Sequence, residues 1–226
     1  MSTYPESFEA LVRRRQSIRQ FFDTPVPKEV IESVLSDAQR SPSNCNTQPW
    51  QVHIVSGEKR DELSTALLDA HDNSRPSPDF YFDMAEYPEP YVERNHAHAK
   101  ARYDALGIAR DDREGRAANL RRNLEFFDAP HVALLFMPQF GDGVRVAGDL
   151  GMYGQTFLLS LTARGLGGIP QTMLGLYADT VRDALKIESQ FRMLYGISFG
   201  YPDRRHPING YRVGRVPIGE SVVFHE

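Results

Sequence analysis

An α+β fold in a single domain is what this sequence predicts, and three observations predict it. Short apolar runs of strand character, at residues 50–55, 131–137 and 193–201, alternate with stretches of helical periodicity. No internal repeat and no low-complexity linker divides the chain. With 226 residues, 41% of them hydrophobic and 25% charged, there is material for one sizeable core in an ordinary globular composition.

The elements follow in order. Residues 5–15 read as a short helix with Phe8, Leu11 and Val12 on one face. RQSIRQFF reads as extended, which puts Arg15, Ser17 and Arg19 on one side and Gln16, Ile18 and Gln20 on the other. Pro27 suits a first helical turn, Val30, Ile31, Val34, Leu35 and Ala38 keep helical spacing, and Ser41-Pro42 stops that helix. The loop SNCNTQP leads to a strand at 50–55. Gly57 then turns the chain into a helix that buries Leu63, Ala66, Leu67 and Ala70.

Residues 72–95 hold four prolines and several aromatics, a composition that blocks helix and central strand alike. A loop of that length in a compact domain suggests a lid. Helices are expected near 96–106 and 113–127, the second carrying Leu120, Leu124 and Phe127. HVALLFM at 131–137 is a buried strand. Residues 145–164 form a long helix, apolar almost all round, with Gly148, Gly151 and Gly154 at helical spacing. Each glycine costs about 1 kcal/mol against alanine there, so close approach of another backbone or a cofactor is expected. Gly165 ends that helix, a strand begins in GGIPQTM, Asp179 caps a short helix near 179–187, and 193–201 is a strand. The tail returns Arg212 and Arg215 before a β-like VVF.

Composition excludes several functions. There are 26 basic and 30 acidic side chains, a net charge of −4, which argues against a nucleic-acid partner. The single cysteine, Cys45, rules out an internal disulfide and argues against a Cys-based zinc site; a small filler in a packed turn is the reading preferred for it. No segment reads as a signal peptide or as the roughly 20 apolar residues of a membrane span, so a cytoplasmic protein with no membrane partner is expected. GDGVRV lacks the third glycine of a dinucleotide fingerprint, and neither a phosphate loop nor a G-x-S-x-G elbow is present. His96, His98, His131 and His206 have no metal-ligand spacing and read as surface or structural.

Two polar stretches remain, RRRQSIRQ and SPSNCNTQPW. Arg15 and Arg19 offer forked donors for a phosphate or a conjugated carbonyl. Ser43, Asn44, Asn46 and Gln48 crowd one loop with neutral donors and acceptors, which suits a heterocycle rich in ring nitrogens and carbonyls. On spacing alone the plainer account is favoured, namely a solvated helix end and a loop that caps its neighbours.

Taken together, RRQSIRQF, SPSNCNTQPW, the D-L-G-x-x-x-Q pattern from Asp149 to Gln155, GLGGIPQ and YRVGRVP carry a resemblance that covers nearly the whole chain. The chain resembles the FMN-dependent nitroreductase family, and its insertion at about 72–110 is similar to the lid of the nitrobenzoate-reductase and iodotyrosine-deiodinase branches. The resemblance implies a three-layer α/β/α sandwich with a central mixed sheet, in a domain-entwined homodimer with FMN at the subunit interface. It implies that Arg15, Gln16, Ser17 and Arg19 grip the flavin, Arg19 at the N1/O2 edge. Pro42, Ser43, Asn44 and Asn46 would come from the partner subunit. Pro170, Gln171 and Thr172 would lie near flavin N5, and Arg215 with Arg212 at the phosphate.

NADH or NADPH is the implied reductant and a small nitroaromatic the substrate, in a ping-pong cycle that needs no catalytic side chain. Phe80, Tyr81, Phe82, Tyr87 and Tyr91 are candidates to stack on the substrate, with Arg94, Arg102 or His96 for a substrate carboxylate. Alternatives are a reductive dehalogenase of the iodotyrosine-deiodinase type, a flavin-binding protein with little turnover, and an oxygen-using member that breaks down flavin. The first is disfavoured because no tyrosine between 80 and 103 has a glutamate four positions before it.

Overall fold

The computed structural model describes residues 7–226. Helix α1 (Phe8–Arg14) is followed by an extended segment and by α2 (Lys28–Ala38). Strand β1 (Gln51–Ser56) leads into α3 (Gly57–Asp72). Beyond the 73–90 loop come α4 (Tyr91–Leu106) and α5 (Arg113–Arg121). Strand β2 (His131–Pro138), the long α6 (Val144–Ala163), β3 (Gly167–Gln171), α7 (Thr172–Gly175), α8 (Ala178–Leu185) and β4 (Phe191–Gly200) complete the frame.

The four strands form one sheet in the order β1-β2-β4-β3, and every neighbouring pair is antiparallel. The mixed character expected of the sheet reduces, beside these strands, to a one-residue parallel bridge between Ser17 and Gly168 at β3. β2 shows why the run HVALLFM has no polar face. Val132, Leu134 and Phe136 point into one layer, with Leu63 and Leu67 of α3 and Val181 of α8. Ala133, Leu135 and Met137 point into the other, with Val34 of α2 and Leu150, Phe157 and Leu161 of α6. A strand covered on both faces loses the polar alternation of a half-exposed one. The result is the three-layer sandwich, helices on both sides of one sheet.

A register shift between Leu135 and Phe136 skips one residue of β4. Met193 therefore packs in the first layer, and Ile197 and Phe199 in the second. Beside this irregularity the Tyr195 hydroxyl donates to the Leu150 carbonyl of α6 at 3.0 Å. It passes over Gly154, where a Cβ would lie 2.0 Å from that oxygen. Of the three glycines in α6, this is the one that admits a neighbour within the chain; Gly148 and Gly151 face open space. Gly165, at φ +76°, ends α6 as expected.

Four local expectations are corrected. The helix near 113–127 stops at Arg121, and after a short turn Phe126, Phe127 and Asp128 take positive φ values that no helix admits. Leu124 and Phe127 are buried by that turn, while Leu120 stays exposed. Asp179 lies inside the first turn of α8, not at its cap; the Asp179 N–H is held by the Ser77 hydroxyl at 3.1 Å. The VVF tail forms no strand in the single chain, and Val223 and Phe224 are 75% and 80% exposed. Cys45 is exposed, not a packed filler, in a turn where its own φ is +51°.

Candidate functional site

The extended segment after α1 lies along the end of the sheet. Ile18 N–H donates to Gly168 O at 3.2 Å and Phe22 N–H to Tyr201 O at 2.9 Å. Ile18 and Phe21 go into the core, so Arg15, Ser17 and Arg19 face outward together. They line a cavity of about 540 Å³. Its other walls are Val12 and Arg13 of α1, Gln155 of α6, His98 of α4, and Tyr211, Arg212, Val213 and Arg215 of the tail. Gln16 reaches it as well, with its amide donating to Asn209 O at 3.0 Å. The two arginine pairs that the sequence holds two hundred positions apart therefore share one wall-to-wall space.

Among the described residues, that space has five arginines and no carboxylate in its lining. Burial, then the nearby Arg215, pushes the Arg15 guanidinium below its usual range. Burial does the same to Arg19, with Tyr211 opposing the shift and Arg102 adding to it. Arg13 is paired with Glu9 at 2.6 Å, and the other four crowd one another with no ion pair among the described residues, which makes a site for an anion with several acceptor oxygens. The volume lies within the few hundred to about 1,000 Å³ typical of cofactor pockets.

Asn209 holds the two ends of the chain in this arrangement. Its Oδ1 accepts Arg19 N–H at 2.8 Å, its Nδ2 donates to Gln20 O and Asp203 O at 2.8 Å each, and its carbonyl accepts Arg212 Nη1 at 3.1 Å. Arg19 Nη1 in turn donates to the Tyr211 hydroxyl at 2.6 Å. His98, Gln155, Asn209 and Tyr211 were missed as site residues. Gln155 ends the D-L-G-x-x-x-Q pattern and was the most accessible of them to sequence reasoning. The reading of His98 as a surface or structural histidine is corrected, since it lines the cavity 3.2 Å from Tyr211 Oη. His131 is structural as expected, its Nε2 accepting Val26 N–H at 2.8 Å, and His206 caps the turn at Pro207–Asn209.

The remaining predicted residues lie elsewhere in the single chain. Pro42, Ser43, Asn44 and Asn46 sit in a turn held to α6 by Asn44 N–H donating to the Asp149 carboxylate at 3.1 Å. Three residues of this loop, Cys45, Asn46 and Gln48, have φ near +50°, a conformation that asparagine tolerates well. Pro170 and Thr172 are exposed at the end of β3. Gln171 is buried, its amide donating to Asn123 O at 2.9 Å and its carbonyl accepting from the Ser198 hydroxyl. None of these seven lines the arginine cavity of its own chain.

Tyr81, Phe82, Tyr87 and Tyr91 line a separate hollow of about 390 Å³ on the 73–90 loop and the start of α4; Phe80 does not. The base of that loop is fixed. Asp79 accepts from Arg182 at 2.5 and 2.9 Å and from Met193 N–H at 2.7 Å, and Ser77 bridges Tyr177. Its aromatic tip is exposed. Arg94 pairs with Glu220 of the tail at 3.2 Å. Among the described residues no group of side chains is arranged to hold a metal ion, and no helix is long and apolar enough to cross a membrane.

The nitroreductase family model matches residues 12–201, a span that includes the extended arginine segment, the polar loop and the whole sheet. The chain is 41% identical over 219 residues to nitroreductase NfnB of Mycolicibacterium smegmatis, covering 97% of this chain and 93% of that protein. It is 34% identical to the 4-nitrobenzoate reductase of Nocardioides sp. strain LMS-CY, covering 97% and 90%. The crystal structure of the FMN-dependent nitroreductase NfnB from Mycobacterium smegmatis in complex with NADPH superposes with a TM-score of 0.93, at 41% identity, over 96% of this chain and 97% of that one. With these likenesses extending over nearly its full length, the chain belongs to the nitroreductase family.

Proposed function

We propose that this protein is an FMN-dependent oxidoreductase that reduces nitroaromatic compounds with NADH or NADPH, working as a cytoplasmic homodimer. The observation that carries the reading is the meeting of Arg15, Ser17 and Arg19 with Arg212 and Arg215 around one cavity free of carboxylates. A phosphate monoester joined to a polar heterocycle matches that donor set. FMN supplies the redox chemistry when bound, taking a hydride from the nicotinamide and returning it to the nitro compound. The chain's own groups bind and orient. Arg212 and Arg215 are assigned to the phosphate, and Arg15, Gln16, Ser17 and Arg19 to the ring, where a cation favours the anionic reduced form.

Several surfaces support the homodimer. Phe8 is 74% exposed on α1, Val144 and Met152 are exposed on α6 beside Gly148 and Gly151, and Val222, Val223 and Phe224 are exposed in the tail. Apolar surface of this extent calls for a partner. A second copy would bring its Pro42, Ser43, Asn44 and Asn46 to the cofactor, and would place the ring near Pro170, Gln171 and Thr172. The lid aromatics Phe80, Tyr81, Phe82, Tyr87 and Tyr91 are assigned to the substrate side.

The test is direct. Purified protein loaded with FMN is mixed with NADH or NADPH and 4-nitrobenzoate, and the loss of reduced nicotinamide is followed at its absorption band. Turnover well above that of free FMN is expected, and a rate no greater than free FMN would falsify the enzymatic reading.

A further inference from the structure

Resting on that function, we infer that His98 is a positioning residue: through Tyr211 it holds Arg19 in place at the cofactor, so that α4 helps set how strongly the reduced cofactor is preferred over the oxidised one.

The argument starts from donor and acceptor counting. Arginine has donors only. Arg19 Nη1 gives one to the Tyr211 oxygen at 2.6 Å, and Arg19 Nη2 lies 3.5 Å from His98 Nε2. Tyr211 Oη is 3.2 Å from the same nitrogen. Tyr211 accepts from Arg19 and so directs its own hydrogen to His98, which makes Nε2 the acceptor for both neighbours. His98 is therefore neutral with its proton on Nδ1. The chain Arg19 to Tyr211 to His98 runs in one direction and ends on α4, the helix that also carries Arg102.

The charged and titratable groups facing His98 are Arg19 from the extended segment, Tyr211 and Arg215 from the tail, and Arg102 from α4 itself. Burial first, then Arg19, Arg102 and Arg215, hold the imidazole below its ordinary range. A proton on Nε2 would remove the acceptor and turn an N–H toward a guanidinium. Protonation thus reverses the hydrogen bond between His98 and Tyr211 and sets a second cation beside Arg19, changing the charge at the cofactor edge. An anion entering the cavity eases the repulsion among the arginines and raises the His98 pKa, so cofactor binding and proton uptake at His98 are linked.

The substitutions separate this from a merely structural role. His98→Gln keeps an oxygen acceptor near the Nε2 position and cannot titrate; His98→Leu removes the acceptor. The readout is the ratio of Kd values for oxidised and reduced FMN, obtained from the cofactor's potential when free and when bound, between pH 5 and 8. At pH 8, His98→Leu is expected to lower the preference for reduced FMN by about tenfold, roughly what loss of one charge-assisted hydrogen bond costs. His98→Gln should stay within about twofold of the wild type at pH 8 and lose the wild type's extra pH dependence below about 6.5. In the apoprotein, NMR titration should place the His98 ring below that value. If His98→Leu does not fold, Tyr211→Phe, which deletes the hydroxyl between the two, carries the same expectation.

A His98→Leu or Tyr211→Phe protein that binds FMN with an unchanged ratio overturns the inference and leaves the proposed function standing. So does a His98 that titrates at or above about 6.5 in the apoprotein. A wild-type protein that takes up no FMN overturns the function and the inference together.

Discussion

The side-chain oxygen of Asn209 accepts the backbone N–H of Arg19 at 2.8 Å, across 190 positions of sequence. With the Gln16 amide on Asn209 O and Arg19 Nη1 on the Tyr211 hydroxyl, this bond ties the tail to the arginine segment. Asn209 is 3% exposed, and its amide also serves the carbonyls of Gln20 and Asp203. Asn209→Leu would leave the half-buried Arg19 N–H without its partner, at a cost of about 1–3 kcal/mol, while the Gln20 carbonyl keeps the Asp203 N–H at 3.1 Å and the Asp203 carbonyl the His206 N–H at 3.3 Å. Urea unfolding is expected to show a loss of about 1–3 kcal/mol, and fluorescence titration a weaker FMN complex. Unchanged FMN affinity in the folded variant would show that the tail is held without it.

Arg215 is expected to separate stability from binding. It lies close enough to Arg15 to depress that group's pKa, and among the described residues the cavity lining has no carboxylate to balance either. Arg215→Gln should therefore weaken FMN binding by about tenfold or more, while the apoprotein melts at the same temperature as the wild type or higher. Thermal unfolding with and without FMN tests both halves. A fall in apoprotein Tm would mean that Arg215 has a structural partner.

Two glycines of one helix should behave oppositely. A methyl group at Gly154 meets the Tyr195 hydroxyl, so Gly154→Ala must displace that ring and its bond to Leu150, costing about 1–3 kcal/mol in chemical denaturation. Gly151 faces open space in the single chain, where alanine is favoured over glycine by about 1 kcal/mol. If the exposed face of α6 packs on a second copy, Gly151→Leu will shift sedimentation toward the monomer without unfolding the protein. A dimer of wild-type strength in that variant would move the interface elsewhere.

His131 makes stability depend on pH. Its ring is buried against Phe199, Nε2 accepts from Val26 N–H, and burial lowers its pKa below the ordinary 6.5. The folded state thus binds fewer protons than the unfolded one in this window. Its contribution is full above about pH 6.5 and is lost as pH falls from there through the lowered folded value. Urea midpoints at pH 7.5 and pH 5 should differ by less in His131→Gln than in the wild type. Equal slopes would show that the ring is not held neutral by the fold.

Local physics made much of this legible from residue order. Helical spacing located α2 and α3, and apolar runs bounded by turn residues located α6 and the strands to within a few residues, because both record which faces are buried. RQSIR read correctly as extended, since alternation places Ile18 in the core and the arginines outside. The misses share one cause. The turn at Phe126–Asp128, the coil at Val222–Phe224 and the exposure of Cys45 depend on backbone angles and absent neighbours that no periodic pattern encodes.

The cavity divides along the same line. Its arginines announced themselves by type and spacing, whereas His98, Asn209 and Tyr211 are single residues in unremarkable surroundings. They become a site because the tail folds back beside the arginine segment and α4 is laid across both, joining positions 98, 19 and 211 through hydrogen bonds. Such bonds take their strength from burial and alignment in space, and neither quantity exists until the chain has closed on itself.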